Sequence, residues 1–183
     1  MADSDSDSEL SYDPDEIDIH HMIKNDPYET VEWAITLDYI KHLNTKDEYG
    51  RLPLYYACVL SRDDVVKLCL RKGALINARD HDERTALHGA VEAKSLDTCR
   101  LLLKHDARVN CKDLHCRTPL HDACQANLYE IADHLCIHGA DVVAEELDHG
   151  HTGLHICACN GYTELAELLI LRGANIILTG EQV

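Results

Sequence analysis

The chain has 183 residues, of which 45% are hydrophobic but only 5% aromatic, and it contains no Phe. Its core must therefore be built from Leu, Ile, Val, Ala and Cys, the small and medium side chains that thin layers need. A formal charge of −16 argues against unspecific binding to nucleic acid or to an anionic membrane, since both need a basic face.

Nine cysteines, an odd number, come with no apolar run behind a basic start. No secretory signal is expected, and no stretch approaches the roughly 18–20 apolar residues of a membrane span. The expected compartment is cytosol or nucleus, where thiols stay reduced.

Residues 1–18 hold Asp3, Asp5, Asp7, Glu9, Asp13, Asp15, Glu16 and Asp18, with no Lys or Arg. With almost nothing to bury, this tail is expected to stay unstructured. Ser4, Ser6 and Ser8 lie beside acids, a context similar to the targets of acid-directed protein kinases. Phosphorylation would make the tail more negative still. Like-charge runs serve as solubilisers and as regulatory or partner-binding segments, and both readings stand.

Residues 19–46 read as a degenerate first unit. Val31, Ala34, Ile35, Leu37, Ile40 and Leu43 recur at helical spacing, after the helix-start signal Asp26-Pro27. Its polar members Glu32, Lys41 and His42 are expected to face water and cap a stack.

Four fuller units follow, at 47–79, 80–112, 113–146 and 147–180. Their core is Thr118-Pro119-Leu120-His121-Asp122-Ala123-Cys124. It returns, loosened, as Leu52-Pro53-Leu54-Tyr55-Tyr56-Ala57-Cys58, Thr85-Ala86-Leu87-His88-Gly89-Ala90-Val91 and Thr152-Gly153-Leu154-His155-Ile156-Cys157-Ala158. The leucines at 54, 87, 120 and 154 set steps of 33, 33 and 34 residues. This pattern resembles the ankyrin repeat, over roughly three quarters of the chain. The resemblance implies an all-α solenoid of helix-turn-helix repeats with turn or β-hairpin tips.

Each unit reads as turn, short helix, loop, second helix, Gly-Ala, turn. Thr85, Thr118 and Thr152 are helix N-caps, and Pro53 and Pro119 sit at the first helical position. Leu52 takes the capping place in the first full unit, so its first helix is expected to be less well anchored. The second helices are expected at 63–72, 97–105, 129–138 and 164–172. Gly73, Gly139 and Gly173 close three of them in the left-handed conformation, and Asp106 takes that place at some cost. The 34-residue step is expected to add one residue around Ala144–Glu146, with the fourth unit opening on Leu147 where the others have Asp. Glu164–Arg172 is as apolar as an interior helix. Either that face binds something, or the chain is a short isoform or fragment of a longer array.

Thirteen His and nine Cys raise the question of metal. His155 and Cys159 share a helix face and His151 lies near, but there is no pair of CxxC knuckles, and no metal or cofactor is expected. The resemblance makes His88, His121 and His155 the family's structural histidine, bonded back to local backbone and the Thr hydroxyl. It puts Cys58, Cys124 and Cys157 in buried Ala positions, where they act as small hydrophobes. No Gly-rich phosphate loop or Gly-x-Ser-x-Gly elbow occurs, and a solenoid offers an open groove, so no enzymatic activity is expected. Asn77 and Asn110 fall in a turn where related proteins can be hydroxylated; plain turn chemistry is the other reading.

The resemblance also implies binding through the turn tips and the exposed face of each first helix. The candidate protein-binding residues are Tyr49, Arg51, Leu60, Arg84, His115, Arg117, Gln125 and His151. Arg51, Arg84 and Arg117 share one slot, with His151 next, in layers about 10 Å apart. Guanidinium forks pair with carboxylates and phosphates. The column either grips an acidic or phosphorylated segment, this chain's own tail being the nearest, or pairs with Asp inside the chain.

The expected function is a non-enzymatic intracellular protein–protein interaction module, an adaptor or inhibitor, with another protein as partner and neither nucleic acid nor membrane. The alternative is an ankyrin segment or short isoform of a larger multidomain regulatory protein, such as a ubiquitin-ligase receptor, channel or enzyme subunit.

Overall fold

The computed structural model describes residues 18–36 and 40–175. The expectations for the tail at 1–17, for Leu37 and the side chains of Ile40 and Lys41, and for 176–180 lie outside these residues.

Eleven helices and no strand lie among the described residues. The degenerate unit contributes α1 (Ile19–Asn25), α2 (Tyr28–Thr36) and α3 (Ile40–Leu43). Four helix pairs follow: α4 (Pro53–Val59) with α5 (Asp63–Arg71), α6 (Ala86–Glu92) with α7 (Leu96–Lys104), α8 (Pro119–Gln125) with α9 (Tyr129–Ile137), and α10 (Gly153–Asn160) with α11 (Thr163–Leu171). The first helices pack on one another in the order α1, α4, α6, α8, α10, and the second helices in the order α2, α5, α7, α9, α11. The result is a two-layer solenoid.

None of these helices would stand alone, because isolated helices shorter than about 12–15 residues are marginal in water. Each is held by burial against its neighbours. Leu54, Leu87, Leu120 and Leu154 are buried at equivalent points of the inner row. Val66, Cys99, Leu102, Leu135 and Leu169 are fully enclosed in the outer row. Cys58, Cys124 and Cys157 are completely buried, packed as small hydrophobes.

The caps follow the repeated motif. Thr85, Thr118 and Thr152 each precede a helix, and the histidine three residues on takes the Thr backbone N–H at 3.1 Å through its Nδ1. Leu52, in the same place, offers no side-chain bond. Asp106 adopts φ of 63° at the end of α7, the left-handed backbone that the equivalent positions give to glycine.

Neighbouring repeats are also tied by an asparagine ladder on a 33-residue spacing. Oδ1 of Asn44, Asn77 and Asn110 accepts the backbone N–H of Leu75, Arg108 and Asp141 at 2.8–2.9 Å. Nδ2 of Asn44 and Asn110 donates to the carbonyls of Gly73 and Gly139. In the next repeat the slot is held by Val143.

One expectation is corrected. The 33-residue register runs unbroken to Glu146, whose backbone N–H donates to the His151 carbonyl, as those of Asp47, Asp80 and Asp113 do to Arg51, Arg84 and Arg117. Glu146, rather than Leu147, therefore opens the fourth repeat's turn. The additional residue lies within 147–150, after Glu146 rather than around 144–146. The hydrogen bond closing the turn fixes this register, which sequence spacing alone left free by a few residues.

Candidate protein-binding surface

The tips are built by one carboxylate each. Asp47, Asp80 and Asp113 use Oδ1 to accept the backbone N–H groups two and four residues further on, all at 2.8–2.9 Å. That fixes a tight turn and presents its middle residues to solvent. A main-chain bond then links each tip to the next: His81 N–H to Tyr49 O at 3.0 Å, Leu114 to Asp82 at 3.1 Å, and Leu147 to His115 at 2.9 Å. Tips and inner helices thus share one rigid register along an open face.

The structure brings the predicted arginines together, but it also occupies them. Arg51 Nε lies 3.4 Å from Asp80 Oδ2. Its guanidinium also sits 5.3 Å and 5.0 Å from the Tyr49 and Tyr55 rings, within cation–π range. Arg84 Nη2 bonds Glu92 at 3.3 Å and Asp122 Oδ2 at 3.2 Å, with Asp113 at 4.0 Å. Arg117 Nη2 bonds the other oxygen of Asp122 at 3.1 Å. Burial alone would lower the Arg84 guanidinium's pKa, but Asp122, Tyr55 and Glu92 outweigh it and hold the value above the ordinary one. The column is a carboxylate–guanidinium chain closed within the protein. Its Arg84, Arg117, Glu92 and Asp122 line an open hollow of about 350 Å³ with Val91, Gln125 and Ala126.

The remaining predicted residues spread along the same face. Tyr49 and Leu60 are exposed, 54% and 45%, at a tip and at the end of α4. Gln125 is exposed on the last turn of α8. His115 is exposed, with Nδ1 3.8 Å from Asp148. His151 has its Nδ1 3.4 Å from Glu146 and stacks on His155 with ring centroids 5.5 Å apart. Asn77 and Asn110 spend their amides on the ladder described above.

Sequence reasoning did not assign Glu92 and Asp122 as the partners of Arg84 and Arg117. Asp122 sits inside the repeated motif at 121–122, yet its face is set by the helix and not by the motif. Leu114 and Leu147 emerge as large exposed apolar tips, at 56% and 66%. The exposed charges of the tips are of both signs, with Glu48, Asp82, Asp148 and nearby Glu92 on one side and Lys46, Arg79 and Lys112, each just before a tip carboxylate, on the other.

Among the described residues no group of three or more His, Cys, Asp or Glu is placed to hold a metal ion, and no helix is long and apolar enough to cross a membrane.

Stacked helix pairs with tips in register and one open face define a repeat solenoid. Three overlapping copies of the ankyrin-repeats family model match residues 19–113, 64–146 and 113–179. The chain belongs to the ankyrin-repeat family, whose members are in general protein-interaction modules. No curated protein matches the chain.

Proposed function

We propose that this protein is a non-enzymatic adaptor or inhibitor that docks a partner protein along the tips and inner helices. The observation that carries this reading is the row of exposed apolar tips, Tyr49, Leu114 and Leu147, at 54%, 56% and 66% exposure. Large apolar side chains held rigidly beside polar rims supply binding energy at low entropic cost. An acidic or phosphorylated segment at the arginine column would compete with Asp80, Glu92 and Asp122 for the same guanidinium groups. The face as it stands favours a partner segment with apolar anchors. The nine free thiols fit work in cytosol or nucleus, where such groups stay reduced.

The test is to capture a partner with the full chain, purify it, and titrate it against a Tyr49→Ala/Leu114→Ala/Leu147→Ala variant. Loss of three apolar anchors should weaken binding at least about tenfold, with the unfolding temperature little changed. Unaltered affinity would remove the tips from the interface and the proposal with them.

A further inference from the structure

We infer that the outer face of α5 and α7 is a docking surface for the chain's own acidic segment, residues 1–17. The protein carries −16 overall, yet this face is basic. Lys67, Arg71 and Lys72 lie at the end of α5, and Arg100, Lys104 and Arg108 stand 33, 33 and 36 residues later on α7 and just beyond it. All are exposed except the half-buried Lys72. Only Arg100 is in an ion pair among the described residues, with Asp97 at 3.4 Å. This contrasts with the inner arginines, each already matched to a carboxylate. The exposed acids on the same stretch are Asp64, Asp97 and Asp106.

The patch is local. On the next outer helix Asp133 stands in the Arg100 position and Ile137 in that of Lys104, and α11 carries Glu164 and Glu167. It is therefore no general property of the outer row. Between the helices it encloses an open hollow of about 480 Å³ lined by Tyr28, Asp64, Lys67, Arg71 and His105.

The occupant is argued from charge and reach. Residues 1–17 hold seven acids and no base, the complement that a cluster of Lys and Arg mostly outside ion pairs attracts. The segment joins the fold at Asp18, the N-cap of α1. α1 packs on α2, and α2 packs on α5. Seventeen residues extend to roughly 55–60 Å, whereas α5 and α7 lie one and two layers away at about 10 Å per layer. A short tether gives an effective concentration of about 1 mM or more, so a contact too weak to hold a free peptide is occupied in the intact chain. Phosphates on Ser4, Ser6 or Ser8 would tighten it.

The experiment uses the full chain in two forms, native and with the seven tail acids replaced by Asn or Gln. A fluorescent peptide of residues 1–17 is titrated into each at low ionic strength, followed by anisotropy. The peptide should bind the neutral-tail chain, and at least about tenfold more weakly the native chain, whose own tail competes. Binding should vanish in the neutral-tail chain carrying Lys67→Glu, Arg71→Glu and Lys104→Glu, and fade towards about 0.5 M salt. Circular dichroism checks that these variants fold, and Lys67→Gln/Lys104→Gln gives a milder version with the same expected direction. No binding to the neutral-tail chain, or equal binding to both forms, would overturn the inference. So would binding that survives charge reversal on α5 and α7 but is lost with Arg51, Arg84 and Arg117 substituted.

Discussion

His121 holds its Nδ1 3.1 Å from the Thr118 backbone N–H and its Nε2 3.2 Å from the His151 carbonyl oxygen. One ring thus caps its own helix and ties its repeat to the next. His88 does the same between Thr85 and the Arg117 carbonyl, at 3.1 and 3.4 Å. Nδ1 must accept and Nε2 must donate, so the neutral ring is the form that fits.

Acid should therefore unfold this protein early. Burial pushes the pKa values of His88, His121 and His155 below the ordinary histidine value. A lowered folded value means that the unfolded chain binds more protons. The stability these rings contribute is complete above the unfolded value of about 6.5 and is lost as pH falls below it. The unfolding temperature should be flat above about pH 7 and drop steadily towards pH 5. His88→Gln should cost about 1–3 kcal/mol at neutral pH and flatten the slope. A melting temperature that stays level from pH 7.5 to 5.5 would contradict this account.

Asp122 is the hinge of the arginine chain, giving one oxygen to Arg84 and the other to Arg117. Replacing it with Ala leaves the half-buried Arg117 without its carboxylate and Arg84 with Glu92 and the more distant Asp113 alone. The expected loss is about 2–4 kcal/mol, since hydrogen bonds to charged groups are worth more than neutral ones and broken buried pairs cost most. Urea unfolding measures it directly. A loss no larger than that of a surface Asp such as Asp97→Ala would mean that the chain of charges is ornamental.

Much of this was legible in the residues. The leucine period set the layers, the Thr signals marked the starts of the first helices, and the second helices begin and end within one residue of the expected bounds. A helix boundary is a local event, decided by caps and left-handed turns that single residues announce. The turn insertion was not legible, because Glu146 replaces Asp and a hydrogen bond sets the register. The arginine column was visible as a spacing, but the partners of Arg84 and Arg117 were not. Asp122 reaches Arg84 only after two layers stack, 38 residues away in sequence, and Glu92 reaches it from the far end of the same repeat's first helix, eight residues on.

Tyr55 occupies the place that His88, His121 and His155 hold elsewhere, and Gly89 is the concession made to it. A Cβ on Gly89 would stand 3.0 Å from Val59 Cγ2 and 3.2 Å from Tyr55 Cε2. In an unconstrained helix, Gly→Ala gains about 1 kcal/mol. Here the buried ring cannot yield freely, so Gly89→Ala should destabilise by about 1–2 kcal/mol. In a Tyr55→His background the tyrosine ring contact is absent while Val59 still crowds the site, so the cost should shrink. A double-mutant cycle in urea separates the two effects, and additive changes would show that the ring and the glycine are uncoupled.

The last junction should open first. The asparagine ladder binds each repeat to the next from Asn44 to Asn110, then meets Val143, whose side chain can neither accept nor donate. At the same junction the turn carries its extra residue within 147–150. In a solenoid each repeat is stabilised by its neighbours alone, so a weakened interface is not compensated from elsewhere. The tip bond from Leu147 to His115 and the ion pair of Arg172 with Asp133 remain, but neither takes the place of the amide rung. Native-state hydrogen exchange should find the amides of α10 and α11 opening at lower free energy than those of α6 to α9. Asn110→Ala should cut a further rung and cost about 1 kcal/mol. It should extend the early-opening unit back towards α8 and α9. Protection in α10 and α11 equal to that of the central repeats would mean that the Val143 interface is as strong as the laddered ones.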